Sequence, residues 1–318
     1  MAGGQERALR RRIKSVQSTK KITRAMELIA ATRVVKAQER ANAARPYSQQ
    51  ITNVILDLVG LGAQADHPLL REDNDANRSA FVVVTSDRGL CGAYNSAVIR
   101  AAEREIVARQ AEGKDYALVL VGKKANTYFR FRNYDIAASF YDLTDRPDYE
   151  DARAVSEVVR SMFEAGEVDT VDLVYQRFLS AGSQEVVVRR FLPLETVDPN
   201  ADGPAEMHAS IEFDPSPGVI LDELLPRYVE ARLFAALLDA SASEHAARQR
   251  AMKAATDNAE ELIISLSRVM NRARQDAITG EIMEIVGGAE ALHQGKGADG
   301  PDIAAALLEP PALVNRSA

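Results

Sequence analysis

The stretch QERALRRRIKSVQSTKKITRAMELIAATRVVKAQERANAAR, Gln5–Arg45, runs for 41 residues without a glycine or a proline. It is filled with Arg, Lys, Ala, Glu and Met, which lose little on entering a helix. A second run, Arg227–Thr279, continues for 53 residues without either breaker and stops at Gly280, ahead of Gly287 and Gly288. At 1.5 Å per residue the two predict helices roughly 60 and 80 Å long, against about a dozen residues for an ordinary globular helix.

The second run predicts a seam of period 3.5 to 3.6 through Val229, Leu233, Leu237, Ala240, Ala247, Ala251, Ala254, Asn258, Leu262, Leu266, Val269 and Ala273. The first repeats it less cleanly, through Leu9, Ile13, Val16, Met26, Ile29, Val34 and Ala37. Alanine-rich seams let two backbones approach closely, which favours a thin coiled coil over a fat bundle. The plainer alternative is a pair of core helices in one globule.

Between these runs the texture changes. Strands are expected over 81–85, 118–121, 135–140, 170–178 and 185–191, with helices over 95–111, 123–131 and 150–165. Such alternation predicts a mainly parallel sheet covered on both faces. Residues 193–217, with five prolines, read as a loop returning to the second long helix. The expected organisation is an N-terminal coiled-coil helix (1–60), a Rossmann-like α/β domain (61–217), a C-terminal coiled-coil helix (218–292) and a flexible tail (293–318). The fold class is therefore α/β plus a long antiparallel coiled coil built from the two ends of the chain.

The net charge of −7 conceals a segregation: residues 5–45 carry +9 and residues 46–226 carry −13. No stretch reaches the ~20 apolar residues of a membrane helix, and the basic N-terminus has no apolar run behind it to make a secretory signal. Cys91 is the single cysteine, so an internal disulfide framework is excluded. Tryptophan is absent and aromatics make up 6%, which leaves little for stacking on single-stranded nucleic acid.

An α/β domain invites a search for phosphate motifs. No G-x-x-x-x-G-K-[ST] is present, and the G-x-G-x-x-G at 295–300 follows no expected strand and runs into Pro301. The turn 85–92 contains glycine without the spacing that brings backbone to a pyrophosphate. Arg88 could lower the pKa of Cys91, but His67, His208, His245 and His293 are scattered, and an inert thiol is the better reading. The histidines form no metal set. The chain reads as catalytically silent, with no cofactor. Two rivals stand beside that reading: a nucleotide-binding α/β enzyme with helical dimerisation arms, and a basic coiled-coil nucleic-acid-binding protein, which the acidic middle opposes.

Three segments carry a resemblance. Residues 12–27 (RIKSVQSTKKITRAME) resemble the N-terminal helix of the gamma subunit of F-type ATP synthases, 85–95 (TSDRGLCGAYN) a turn of that family's α/β domain, and 251–288 its C-terminal helix. The resemblance spans nearly all of residues 1–292. It implies a non-catalytic central rotor that couples proton-driven rotation of the c-ring to ATP synthesis and hydrolysis on the beta subunits. It implies one copy per complex, with alpha, beta, epsilon and c-ring partners, no nucleic acid, and a peripheral place on the cytoplasmic face of a bacterial cell membrane. Matched residue by residue, it implies rotor–stator contacts at Lys20, Lys21, Arg24 and Met26, at Arg88 and Cys91, and at Arg248, Asn271, Arg274, Gln275 and Thr279. Residues 293–318 continue past the family's usual end.

Overall fold

The structure is a computed structural model and describes residues 2–60, 67–70, 77–194 and 216–295. Most of the proline-rich segment 193–217 and most of the expected tail lie outside the described residues. The described chain contains helix α1 (Ala2–Gly60), strand β1 (Arg78–Val84), α2 (Tyr94–Ala111), β2 (Asp115–Val121), α3 (Lys123–Phe131), β3 (Ile136–Phe140), α4 (Tyr149–Glu164), β4 (Thr170–Phe178), β5 (Gln184–Leu192) and α5 (Pro217–Gly295). The expected strands and helices of the middle are all present, each within a few residues of its expected bounds.

The strands form one sheet in the order β3-β2-β1-β4-β5. β1 pairs in parallel with both β2 and β4, and β3 pairs in parallel with β2. Only β5 is antiparallel, to β4. Alternation along β1 sends Ala80, Val82 and Val84 to one face and Phe81 and Val83 to the other. The first face is covered by Val155, Val159 and Phe163 of α4, by Ile51, Ile55 and Leu58 near the end of α1, and by Leu221, Leu225 and Val229 near the start of α5. The second is covered by Val98, Ala102 and Ile106 of α2 and Ala125 and Phe129 of α3. With both faces covered, β1 is buried along nearly its whole length, as a central parallel strand requires.

The carboxyl edge of this sheet is tied by two local devices. Gly122 has φ +97°, and a Cβ there would stand 2.3 Å from the carbonyl oxygen of Thr85, so only glycine admits this approach. The Asp87 carboxylate accepts from the Lys123 backbone N–H at 3.1 Å and from the Thr144 hydroxyl at 2.9 Å. Together they gather the turns after β1, β2 and β3.

The chain divides into two compact units, residues 20–257 and residues 1–19 with 258–318. In the first, α1 and α5 run antiparallel. Thr23 hydrogen-bonds Thr256 at 2.8 Å, Arg33 and His245 both reach Asp145, and Arg45 lies near Asp239. As one number rises the other falls. Burial along α1 repeats at Thr23, Glu27, Ala30, Val34, Ala37, Ala41, Ala44, Ser48, Ile51, Ile55 and Leu58, alternating steps of four and three. This is the 3.5-residue repeat of a coiled coil.

The expected seam is out of phase in part. Ile29 is 54% exposed, Leu262 40% and Val269 47%, and Ala254 and Asn258 are exposed as well. The buried line of α5 instead follows Met252, Thr256, Ala259, Ile263, Leu266, Met270, Ala273 and Ala277. The reason is chemical: Thr23, Glu27 and Thr256 hold seam positions, and picking apolar residues shifts the phase to the neighbouring stripe. The helices also continue past the breakers, through Pro46 in α1 and Pro226 in α5, because core packing holds the chain there: Ile51 and Ile55 follow Pro46, and Leu221, Leu225 and Val229 lie on both sides of Pro226.

In the second unit, α1 supplies residues up to Thr19, where Ile13 is buried and Leu9 and Val16 half-buried. On α5 the last half-buried position is Ala277, and every residue from Ile278 to His293 is exposed.

Two outcomes follow from the packing. The Thr256 hydroxyl also donates to the Met252 carbonyl at 2.8 Å, so Thr23→Val should cost about 1 kcal/mol in urea unfolding, and Thr23→Val with Thr256→Val should cost less than the two singles summed. Burial raises the Asp239 carboxyl from 3.8 to about 6, against the pull of Arg45 and Arg177. The folded state then binds the proton more tightly than the unfolded one, so this residue's contribution to stability falls as pH rises from about 4 to about 6 and stays lost above. Asp239→Asn should flatten that slope and stabilise the chain by about 1–3 kcal/mol at pH 7.

Candidate functional site

The chemistry-bearing side chains of residues 20–257 converge where α5 crosses the carboxyl edge of the sheet. The turn after β1 docks there. Asn95 donates from Nδ2 to Ser86 Oγ at 2.8 Å and to Cys91 Sγ at 3.1 Å, and its Oδ1 accepts from the Ser86 backbone N–H at 2.9 Å. The fully buried Tyr94 donates its hydroxyl to the Ala240 carbonyl at 3.2 Å. On α5, Arg248 donates to Glu244 Oε1 at 2.6 Å and to the carbonyls of Arg88 and Gly89 at 3.4 Å. One turn of helix earlier, Ser241 donates to the Asp145 carbonyl at 3.3 Å, and His245 Nε2 lies 3.1 Å from the same oxygen.

This edge is where a doubly wound sheet usually receives a ligand. Here α5 fills much of it. Gly92, φ +59°, lies so close that a Cβ would sit 3.7 Å from Ala251. Burial sets the electrostatics: it raises the Glu244 carboxyl against the opposing charge of Arg248, lowers His245 and raises the Cys91 thiol. The thiol is therefore held in its protonated, unreactive form, as an inert residue would be. Asp145, Glu244 and His245 bring ligand-type atoms within 4.8 Å of one another. Their carboxylates are already engaged by cations, Asp145 by Arg33 and Glu244 by Arg248. The arrangement neutralises buried charge and locks a helix; it presents no activated nucleophile.

The residues singled out from the sequence fall into three groups. Arg88, Cys91 and Arg248 come together. The Arg88 side chain faces outward, whereas Cys91 is 2% and Arg248 9% exposed, so their side chains serve the docking of the turn on α5. On α1, Lys21 and Arg24 are exposed, Lys20 and Met26 half-buried, and Arg24 pairs with Glu27 at 2.8 Å. Asn271, Arg274, Gln275 and Thr279 are exposed on α5, in the unit that holds residues 258–318.

Sequence reasoning missed Asp145, Glu244 and Leu90. The four-residue spacing of Glu244 and Arg248 was a readable signal. Leu90 was not readable: at the outer rim of the turn its φ is +63° while its side chain is 61% exposed. A leucine held in the left-handed region and offered to solvent is strain kept at a surface.

Arg248→Met should leave Glu244 as an uncompensated buried carboxylate, whose Oε2 already has no partner. The expected loss is about 3–5 kcal/mol in chemical denaturation. Adding Glu244→Leu should recover part of it.

The comparisons with known proteins agree across nearly the whole chain. A family model described as ATP synthase matches residues 5–292. The ATP synthase gamma chain of Parafrankia sp. (strain EAN1pec) is 51% identical over 299 residues, covering 92% of this chain and 99% of that one. The gamma chain of Mycolicibacterium smegmatis is 46% identical over 306 residues, covering 91% and 98%. Among solved structures, a chain in the Euglena gracilis mitochondrial ATP synthase (OSCP/F1/c-ring, rotational state 3) is similar in fold, with a TM-score of 0.69, 20% identity, and coverage of 94% of this chain and 98% of that chain. With identity near one half along a length that includes both long helices and the sheet between them, this chain belongs to the ATP synthase gamma chain family.

Proposed function

We propose that this chain is the central rotor shaft of an F-type ATP synthase, coupling proton-driven rotation of a c-ring to ATP synthesis and hydrolysis on beta subunits. The observation that carries the reading is the end of α5. From Ile278 to His293 it is a lone exposed helix bearing Ile278, Ile282, Met283, Ile285 and Val286, each at least half exposed. Apolar surface of this kind is costly in water and suits an apolar sleeve supplied by other subunits.

A shaft must also be thin and asymmetric. Alanines at the seam keep α1 and α5 close within residues 20–257, and the two helices are unequal, 59 against 79 residues. Asymmetry is required because a shaft that interacts equally with every state of the beta subunits would shift none of them. In this reading the chain performs no bond chemistry, consistent with a sheet edge filled by its own helix. The basic face of α1 at Lys20, Lys21 and Arg24, with Met26, meets acidic loops of the beta subunits. Arg88 and the strained Leu90 meet a beta subunit from the turn after β1, a contact that Cys91 and Arg248 support from within. Asn271, Arg274, Gln275 and Thr279 bear against the ring near the tip.

Alpha, beta, epsilon and c-ring subunits are the partners, at one copy of this chain per complex. Among the described residues no helix is long and apolar enough to cross a membrane. Attachment is then indirect, through the proton-channel sector, on the cytoplasmic face. Residues 1–60 and 218–292 form the shaft, 61–217 the domain nearest the c-ring, and 293–318 a dispensable tail.

The test is rotation. A bead fixed through Glu112→Cys in a Cys91→Ser chain, in a complex assembled with its partners, should turn in one direction during ATP hydrolysis; a stationary bead on an active complex overturns the reading. In the same complex, reversing Lys20, Lys21 and Arg24 to Glu should lower protons pumped per ATP by about tenfold, a larger effect than the modest fall in unfolding midpoint that comes from removing the partner of the buried Glu27. Full coupling in the assembled triple variant would reject the charged contact.

A further inference from the structure

We propose that the cleft enclosed by α1, α5 and the loop between β3 and α4 is a binding site for a compact phosphate-class polyanion of about pyrophosphate size. The cleft has a volume of about 500 Å³, within the range of small-molecule sites. Four cations line it: Arg33, Lys36 and Arg40 from two successive turns of α1, and Arg146 from the loop. Glu39 and Asp145 are its carboxylates, and His245 closes its floor.

The charges do not cancel. Asp145 is engaged by Arg33, and the buried His245 ring is spent on the Asp145 carbonyl. Among the described residues Lys36 and Arg146 form no ion pair, and Arg40 donates to one group, the Pro147 carbonyl, at 3.4 Å. Burial, and then the nearby Arg146, push the Arg40 pKa below its ordinary value. Two guanidiniums crowded in a concave, partly dry site repel each other, and an anion between them would turn that repulsion into charge-assisted hydrogen bonds.

The lining also sets the ligand class. Apart from the buried His245 ring the lining is charged side chains, with no aliphatic residue to receive an acyl chain, so recognition rests mainly on the phosphate groups. The position agrees, because the β3–α4 loop stands at the carboxyl edge of the sheet, beside the part that α5 fills. This inference does not depend on the rotor reading, since it concerns the chain by itself.

The experiment is calorimetric titration of the full-length chain at fixed ionic strength with pyrophosphate, ATP and adenosine. One pyrophosphate should bind per chain, saturably, with ATP within about threefold of it and adenosine without effect, because adenosine carries no charge to meet the cations. Arg146→Ser should weaken pyrophosphate by about tenfold, the worth of one charge-assisted contact. Lys253→Ser removes an equal charge from an exposed site outside the cleft and should change affinity less than about twofold. Equal losses in the two variants, binding that does not saturate, or ATP tenfold tighter than pyrophosphate would each overturn the proposal. If Arg146→Ser melts at a lower temperature, Lys36→Ser supplies the same comparison on a side chain without a structural bond.

Discussion

Nine consecutive residues of α5, Ala240 to Arg248, are buried on every side. A helix can be enclosed all round when its side chains are small or paired, and this stretch uses both solutions, although Ser243 Oγ and Glu244 Oε2 are left without a hydrogen-bond partner. Ala240, Ser241, Ala242, Ser243, Ala246 and Ala247 leave room for α1 and the sheet edge to close in together. Glu244, His245 and Arg248 pair with one another and with the Arg88, Gly89 and Asp145 carbonyls. Enlarging an alanine here would push apart two interfaces at once. The close docking of the turn after β1 on this part of α5 has the same cause.

How much of this was legible in the sequence depended on whether a signal was local. The strands of the sheet are apolar runs bounded by turn residues, and the helices between them carry strong periodicity, so their order was readable. Helix ends were less so: Pro46 and Pro226 are stop signals by local rule, and only contacts with the sheet from distant parts of the chain override them. The seam phase was misread where Thr23 meets Thr256, because two hydroxyls that satisfy each other look polar singly and behave as interior together. The same applies to the docking site. Cys91 and Arg88 stand out beside each other in sequence, but their burial and exposure are set by a helix some 160 positions away. Leu90 carried no signal, since its interest lies in a backbone angle.

Polar seam positions and a bare apolar tip are two sides of one design. Lys20, Thr23 and Glu27 occupy the line where α1 faces α5, and each gives up hydrophobic stabilisation that leucine would supply. In return the hydroxyl pair fixes which residue opposes which, as single polar residues do in coiled coils. Alanine seams bury little area per residue, so the helices of residues 20–257 owe their stability mainly to the sheet and to the enclosed stretch of α5. Beyond Ala277 neither support exists. That end contains Gly280, Gly287 and Gly288, each about 1 kcal/mol less favourable than alanine in a helix, and an isolated helix of this length is marginal in water. Among the described residues, a segment with weak intrinsic helicity, exposed isoleucines and no packing partner is one that an apolar surface supplied from elsewhere would stabilise, as the proposed shaft requires.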